Sequence, residues 1–103
     1  MANISVVGRI VSDDIELKIS ANNRPYLRFD LAERTGKGAY ARTQYYQVVA
    51  FGAIASQFAK RGLCRGALIS VEGTLELEDY LKRDGWTRDK RLKVIALRWR
   101  YLQ

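Results

Sequence analysis

The sequence predicts an all-β domain: five strands closed into a small Greek-key barrel, with one short helix between the third and fourth strands. Three observations predict it. Apolar residues recur at period two in most of the chain. Only Ala53–Lys60 carries apolar residues at helical spacing, with Gly62 behind it as a stop. Asp84-Gly85, between two alternating runs, is a strong hairpin signal. At 103 residues the chain is read as a single domain, 1–103, long enough to bury one core without covalent staples.

The first strand covers Asn3–Ser12, with Ile4, Val6, Gly8 and Ile10 on one face and Ser5, Val7, Arg9 and Val11 on the other. Gly8 inside it marks a bulge or sharp bend of the kind a small barrel needs to close. Asp13-Asp14 breaks the run, and Ile15–Ile19 resumes it briefly. Asn22-Asn23-Arg24-Pro25 is a turn, because Asn tolerates positive φ and Pro fixes φ. The second strand, Tyr26–Arg34, turns Leu27, Phe29 and Leu31 inward and Tyr26, Arg28 and Asp30 outward. A Gly-containing loop, Thr35–Ala41, holds Tyr40 near its end.

The third strand, Thr43–Gly52, is the densest aromatic and β-branched run in the chain. Tyr46, Val48 and Ala50 form one face; Tyr45, Gln47, Val49 and Phe51 form the other. Large hydrophobes on both faces mean that protein covers both sides, or that one side is an open aromatic platform. The helix sets Ile54, Ala55 and Phe58 on one side and caps an open barrel end. A long fourth strand, Gly66–Arg83, carries Leu68 or Ile69 and Val71, then Gly73, Leu75 and Leu77, and the fifth returns through Lys93–Leu102. Three strands, a helix and a hairpin are the plan of the OB-fold, a Greek-key barrel.

The net charge is +7, and the pI is near 9.9. The charge is uneven: between Lys82 and Arg100 eight basic residues stand against Asp84 and Asp89. Such a stripe favours a polyanionic partner, and it also suits a strand face kept soluble by charge. One cysteine, Cys64, excludes an internal disulfide framework and fits a reducing compartment. With no membrane-length apolar run and no signal-like N-terminus, a soluble cytoplasmic protein is expected.

Catalysis finds no foothold. There is no His, and Gly36-Lys37-Gly38 is too short for a phosphate loop. Asp13-Asp14 and Glu78-Asp79 are adjacent pairs whose side chains diverge, so neither makes a metal or acid–base pair. No enzyme activity, metal or cofactor is expected.

Five segments, in order and on the expected strands, carry a resemblance. They are Val6-Val7-Gly8-Arg9-Ile10, Phe29-Asp30-Leu31-Ala32, Thr43–Gly52, Arg65-Gly66, and Val71-Glu72-Gly73-Thr74-Leu75. Over almost its whole length the chain resembles the bacterial single-stranded-DNA-binding protein family. The resemblance implies a sequence-tolerant binder of single-stranded DNA that protects it in replication, recombination or repair. It also implies a homotetramer whose dimers pair through the first strand, with Tyr46 near an interface that supplies its hydroxyl a partner.

The departures are specific. The family's usual Trp in the third strand is Tyr45 here, a second corresponds to Tyr80, and a third has only Tyr40 as a rough counterpart. Basic residues often found before the second Trp are replaced by Glu78 and Asp79. The sequence ends at Gln103, with the barrel, without the family's flexible linker and acidic tip, so tail-recruited partner proteins are not expected.

The candidate site follows from the chemistry of single strands, which expose π-faces that a duplex hides. Each base stacked on an aromatic side chain is worth about 1–3 kcal/mol with little sequence preference. Tyr45 and Phe51 share a strand face with Gln47 between them, about 20 Å apart at the usual strand rise, which suits two separate stacks. Core packing is the competing role for both rings. Tyr80 and Trp86 extend the track, and an indole beside Asp-Gly has little in its own monomer to bury against. Trp99 and Tyr101 are read as core or interface plugs. Arg9, Arg28, Lys82, Arg83, Arg88, Lys90 and Arg91 are the candidates for phosphates between the stacks. Two other readings use the same fold: an RNA-binding or translation-type OB module, and a protein-interaction module of replication-restart type.

Overall fold

A computed structural model describes residues 2–103. Six strands form one sheet that closes on itself: β1 (Ala2–Ile10), β2 (Lys18–Ile19), β3 (Pro25–Thr35), β4 (Arg42–Phe51), β5 (Leu68–Leu81) and β6 (Arg88–Tyr101). A 3₁₀ turn, Gly38–Tyr40, precedes β4, and the helix α1 (Gly52–Arg61) follows it. The strand order is β1-β5-β6-β4-β3-β2, and β1 also pairs with β3, which closes the ring into an OB-fold barrel. β2, only two residues long, is a sixth strand beyond the five expected.

Period-two alternation becomes the core directly. Val6 and Ile10, then Leu27, Phe29 and Leu31, then Tyr46, Val48 and Ala50, are all buried. Ile69, Val71, Val94 and Ala96 complete the barrel interior. Fully burying such a side chain is worth about 1.5–3 kcal/mol. α1 plugs one end: Ala55 and Phe58 are buried, and Phe58 stacks on Phe29 with ring centroids 4.6 Å apart. Gly62 stops the helix, as its position in the sequence implies.

Two glycines allow closure by close approach. At Gly8, β1 passes from β5 to β3, and an added Cβ would lie 2.5 Å from the Ala32 carbonyl oxygen. At Gly73 an added Cβ would run into the carbonyl of Ile95. There the register slips: Gly73 faces Ala96 while Glu72 faces Arg98, so Leu97 is the extra residue of a β-bulge. The bulge reverses the alternation of β6. Strict period two would set Arg98 and Arg100 on the face of Val94; instead Trp99 turns inward, 4.9 Å from Phe58 between ring centroids.

β5 pairs with β1 only from Leu68 to Leu75, and β6 pairs with β4 only from Lys93 to Ile95. Beyond these limits, Leu77–Leu81 and Arg88–Leu92 pair only with each other and form a two-stranded arm. For that reason Leu77, which the alternation would place inward, and Leu81 are more than half exposed. The arm's turn matches the Asp84-Gly85 signal but spans four residues, 83–86, between Lys82 and Thr87. Asp84 organises it: Oδ1 accepts the backbone N–H groups of Trp86 (3.0 Å) and Thr87 (2.8 Å), and Oδ2 accepts the Thr87 hydroxyl. These three donors hold the Asp84 carboxyl below its ordinary value, the Thr87 hydroxyl most strongly.

Candidate nucleic-acid interface

β4 sits between β3 and β6, so its outer face is flanked on both sides. Asp30 on β3 and Lys93 on β6 are both register partners of Gln47. The two alternatives for this strand divide along its length. Tyr45 is 59% exposed, whereas Val49, on the same face, is buried between register partners Arg28 and Ile95. The platform is therefore open at the Tyr45 end, half covered at Phe51, and interrupted between them.

Two clefts follow this face. The first, about 520 Å³, is walled by Thr43–Gln47 on β4 and by Leu77, Tyr80, Lys90, Arg91 and Leu92 on the arm, with Val11 and Asp30 at its side. It brings together five residues singled out by the sequence: Tyr45, Gln47, Tyr80, Lys90 and Arg91. The second, about 390 Å³, is lined by Ser20, Ala21, Tyr26, Arg28, Gln47, Val49, Phe51, Glu78 and Lys93. Gln47 belongs to both, so the clefts adjoin across it.

Within the first cleft the Arg91 guanidinium lies over the Tyr80 ring, 4.1 Å from its centroid. Its Nε is buried and has no hydrogen-bond partner among the described residues. In the second cleft Tyr26 stands directly across from Phe51, ring centroids 6.4 Å apart, and the Arg24 guanidinium lies 5.3 Å from the Phe51 ring centroid. Tyr26 and Lys93 join the site beyond the residues that the sequence singles out for it. A signal for Tyr26 exists, since alternation puts it on the outward face of its strand. That Lys93 joins β4 is a matter of parallel β4–β6 pairing, which no local pattern encodes.

The remaining candidates lie elsewhere. Arg9 shares an outward row with Ala32 and Tyr45, but its Nη1 donates to the Gly66 carbonyl at 2.8 Å, and it lines neither cleft. Lys82, Arg83 and Arg88 lie toward the arm's tip, with Lys82 paired to Asp89 at 3.5 Å. Trp86 at the tip is 82% exposed, and Tyr40 on the 3₁₀ turn is 84% exposed. Tyr46 faces the core, and its hydroxyl donates to Glu33 of the same chain at 3.1 Å, so it needs no partner from an interface. Burial first, then that bond and the Glu33 charge, raise the Tyr46 phenol above its ordinary value. No group of His, Cys, Asp and Glu that could hold a metal occurs among the described residues.

The chemistry of this surface is stacking and charge. Flat rings stand exposed beside guanidinium and ammonium groups, on a sheet face open to solvent. A model described as the single-strand binding protein family matches residues 1–102. Among solved structures, a small single-stranded DNA-binding protein from Streptomyces coelicolor has the same fold, with a TM-score of 0.81. It is 22% identical and the match covers 97% of this chain and 93% of that one. No curated protein sequence matches.

Proposed function

The chain belongs to the single-strand binding protein family, and on that premise we propose how it holds its ligand. It binds single-stranded DNA. The strand runs along the outer face of β4, from the cleft between Tyr45 and the β5–β6 arm towards the pair Tyr26 and Phe51. Tyr45, Tyr80, Phe51 and Tyr26 take bases, Arg28, Lys90, Arg91 and Lys93 take phosphates, and Gln47 bridges the two clefts with an amide that can donate and accept. The carrying observation is the 520 Å³ cleft, in which rings from β4 and from the arm face the same space as two cations.

Binding of this kind is tolerant of sequence, because every base has a π-face and phosphates carry no sequence information. It suits protection of exposed strands during replication, recombination or repair, by a binding protein and not an enzyme. The further assembly is a homotetramer. Two features support it: Val7 is half exposed on β1, and β1 from Ala2 to Val7 pairs on one side only, leaving a free edge. Light scattering should give about four times the 11.8 kDa chain mass; a stable monomer at micromolar concentration would overturn the tetramer.

Titration of intrinsic fluorescence with oligo-dT and oligo-rU at several salt concentrations tests the ligand. Saturable binding of oligo-dT that weakens steeply with salt is expected. Equal or tighter binding of oligo-rU would move the reading towards RNA, and binding only with a partner protein would move it towards an interaction module.

A further inference from the structure

We infer that Glu78 is a built-in competitor for phosphate, holding Arg91 and Lys93 by a carboxylate that single-stranded DNA must displace. The inference rests on the phosphate-contact reading above and sets its strength. Glu78 stands on the arm with Arg91 as its register partner, on the same face as Tyr80. One carboxylate oxygen is 3.2 Å from the Lys93 ammonium, and the other is 4.0 Å from the Arg91 Nε. Lys93 is the register partner of Gln47, so this cluster lies where the two clefts meet.

Two details make the contact a competition and not a closed structural bridge. First, 4.0 Å is too long for a hydrogen bond, and the buried Arg91 Nε keeps no partner among the described residues. The guanidinium is held over Tyr80 without a closed bond from Nε to Glu78, and the exposed part of its donor fork is left for a phosphate oxygen. Second, all three side chains are a quarter to a third exposed, so the pairing is open to exchange with solution anions.

The consequence concerns salt. A cation already neutralised by a protein carboxylate carries fewer condensed anions and gains less from meeting a phosphate. Glu78 therefore lowers both the affinity and the number of effective phosphate contacts, favouring a complex that releases readily. It does so at the position where the resemblance leads one to expect basic residues.

The test compares Glu78→Gln, Asp79→Asn and the unaltered protein, each titrated with oligo-dT across a salt series. Asp79 is adjacent, exposed, on the opposite face of the arm, and makes no ion pair among the described residues. Glu78→Gln is expected to bind several-fold more tightly at low salt. Its slope of log affinity against log salt should steepen by about 0.7 for each cation released, up to about 1.4 for two. Asp79→Asn should leave the slope nearly unchanged. Equal gains in both variants would mean that net charge alone matters, and would overturn the inference. Weaker or unchanged binding by Glu78→Gln would overturn it too, leaving Glu78 as a positioning group for the cations. Absence of salt-dependent binding by the unaltered protein would instead strike the underlying reading, a result visible before any variant is compared.

Discussion

The guanidinium of Arg91 lies 4.1 Å from the centroid of the Tyr80 ring, on an arm with no third strand beside it among the described residues. A two-stranded ribbon has no second layer to fix its side chains, so cross-strand contacts such as this one set their directions. Arg91 shields one face of Tyr80. The other neighbours of that cleft, Tyr45 and Gln47, come from the rigid barrel. The site thus joins a well-packed wall to a more loosely held one.

Tyr45 is exposed and lies outside the core cluster, so Tyr45→Ala should leave the melting temperature nearly unchanged. It should weaken oligo-dT binding by about 1–3 kcal/mol, a factor of about 5 to 150. Phe51→Ala should show a similar loss with some destabilisation, because Phe51 also packs against Tyr26. A Tyr45→Ala protein with unaltered affinity would remove the aromatic platform from the mechanism.

Trp86 fluorescence should be quenched when single-stranded DNA is added, since its indole is exposed among cations at the arm's tip. Trp86→Phe should leave only the signal of Trp99, packed on Phe58 and blind to DNA. Neutralising Arg83 and Arg88, which line neither cleft, should flatten the salt slope by about 0.7 for each phosphate no longer neutralised. A Trp86 signal that ignores DNA, with an unchanged slope, would confine binding to the two clefts.

Gly73→Ala should destabilise the barrel by about 1–3 kcal/mol or more, because the new methyl meets a backbone carbonyl and not a flexible side chain. Urea unfolding should show a lower midpoint. A midpoint equal to that of the unaltered protein would mean that the β6 bulge relaxes freely around the added atom.

Acid should loosen the arm before it unfolds the barrel. Hydrogen bonds from Thr87 and Trp86 hold the Asp84 carboxyl below its ordinary value of 3.8, so the folded turn favours the charged form. The stabilisation is then fully present above 3.8 and is lost as pH falls through the lower folded value. Trp86 anisotropy should report greater mobility of the tip in that window, and Asp84→Asn should reduce the dependence to the part left by Asp89, which the Lys90 backbone N–H and Lys82 also hold below its ordinary value. A tip equally ordered on both sides of it would show that Gly85 and the strand pairing suffice.

Local pattern is enough to set most of the elements and the inner faces of β3 and β4. Leu27, Phe29 and Leu31, and Tyr46, Val48 and Ala50, are legible because a strand's side-chain period is fixed by backbone geometry and the core admits one face. The helix stop at Gly62 and the turn at Asp84-Gly85 are equally local. The rest depends on which strands become neighbours. Parallel pairing of β4 with β6 buried Val49 and brought Lys93 beside Gln47. A single extra residue, Leu97, reversed the faces of β6 and turned Trp99 into the core. The end of β1 and β4 pairing left Leu77 exposed on a free arm, and long-range hydrogen bonding drew Arg9 to Gly66, out of the clefts. Alternation states that two faces differ; only the packed neighbours decide which stretch of the outer face stays open to a ligand.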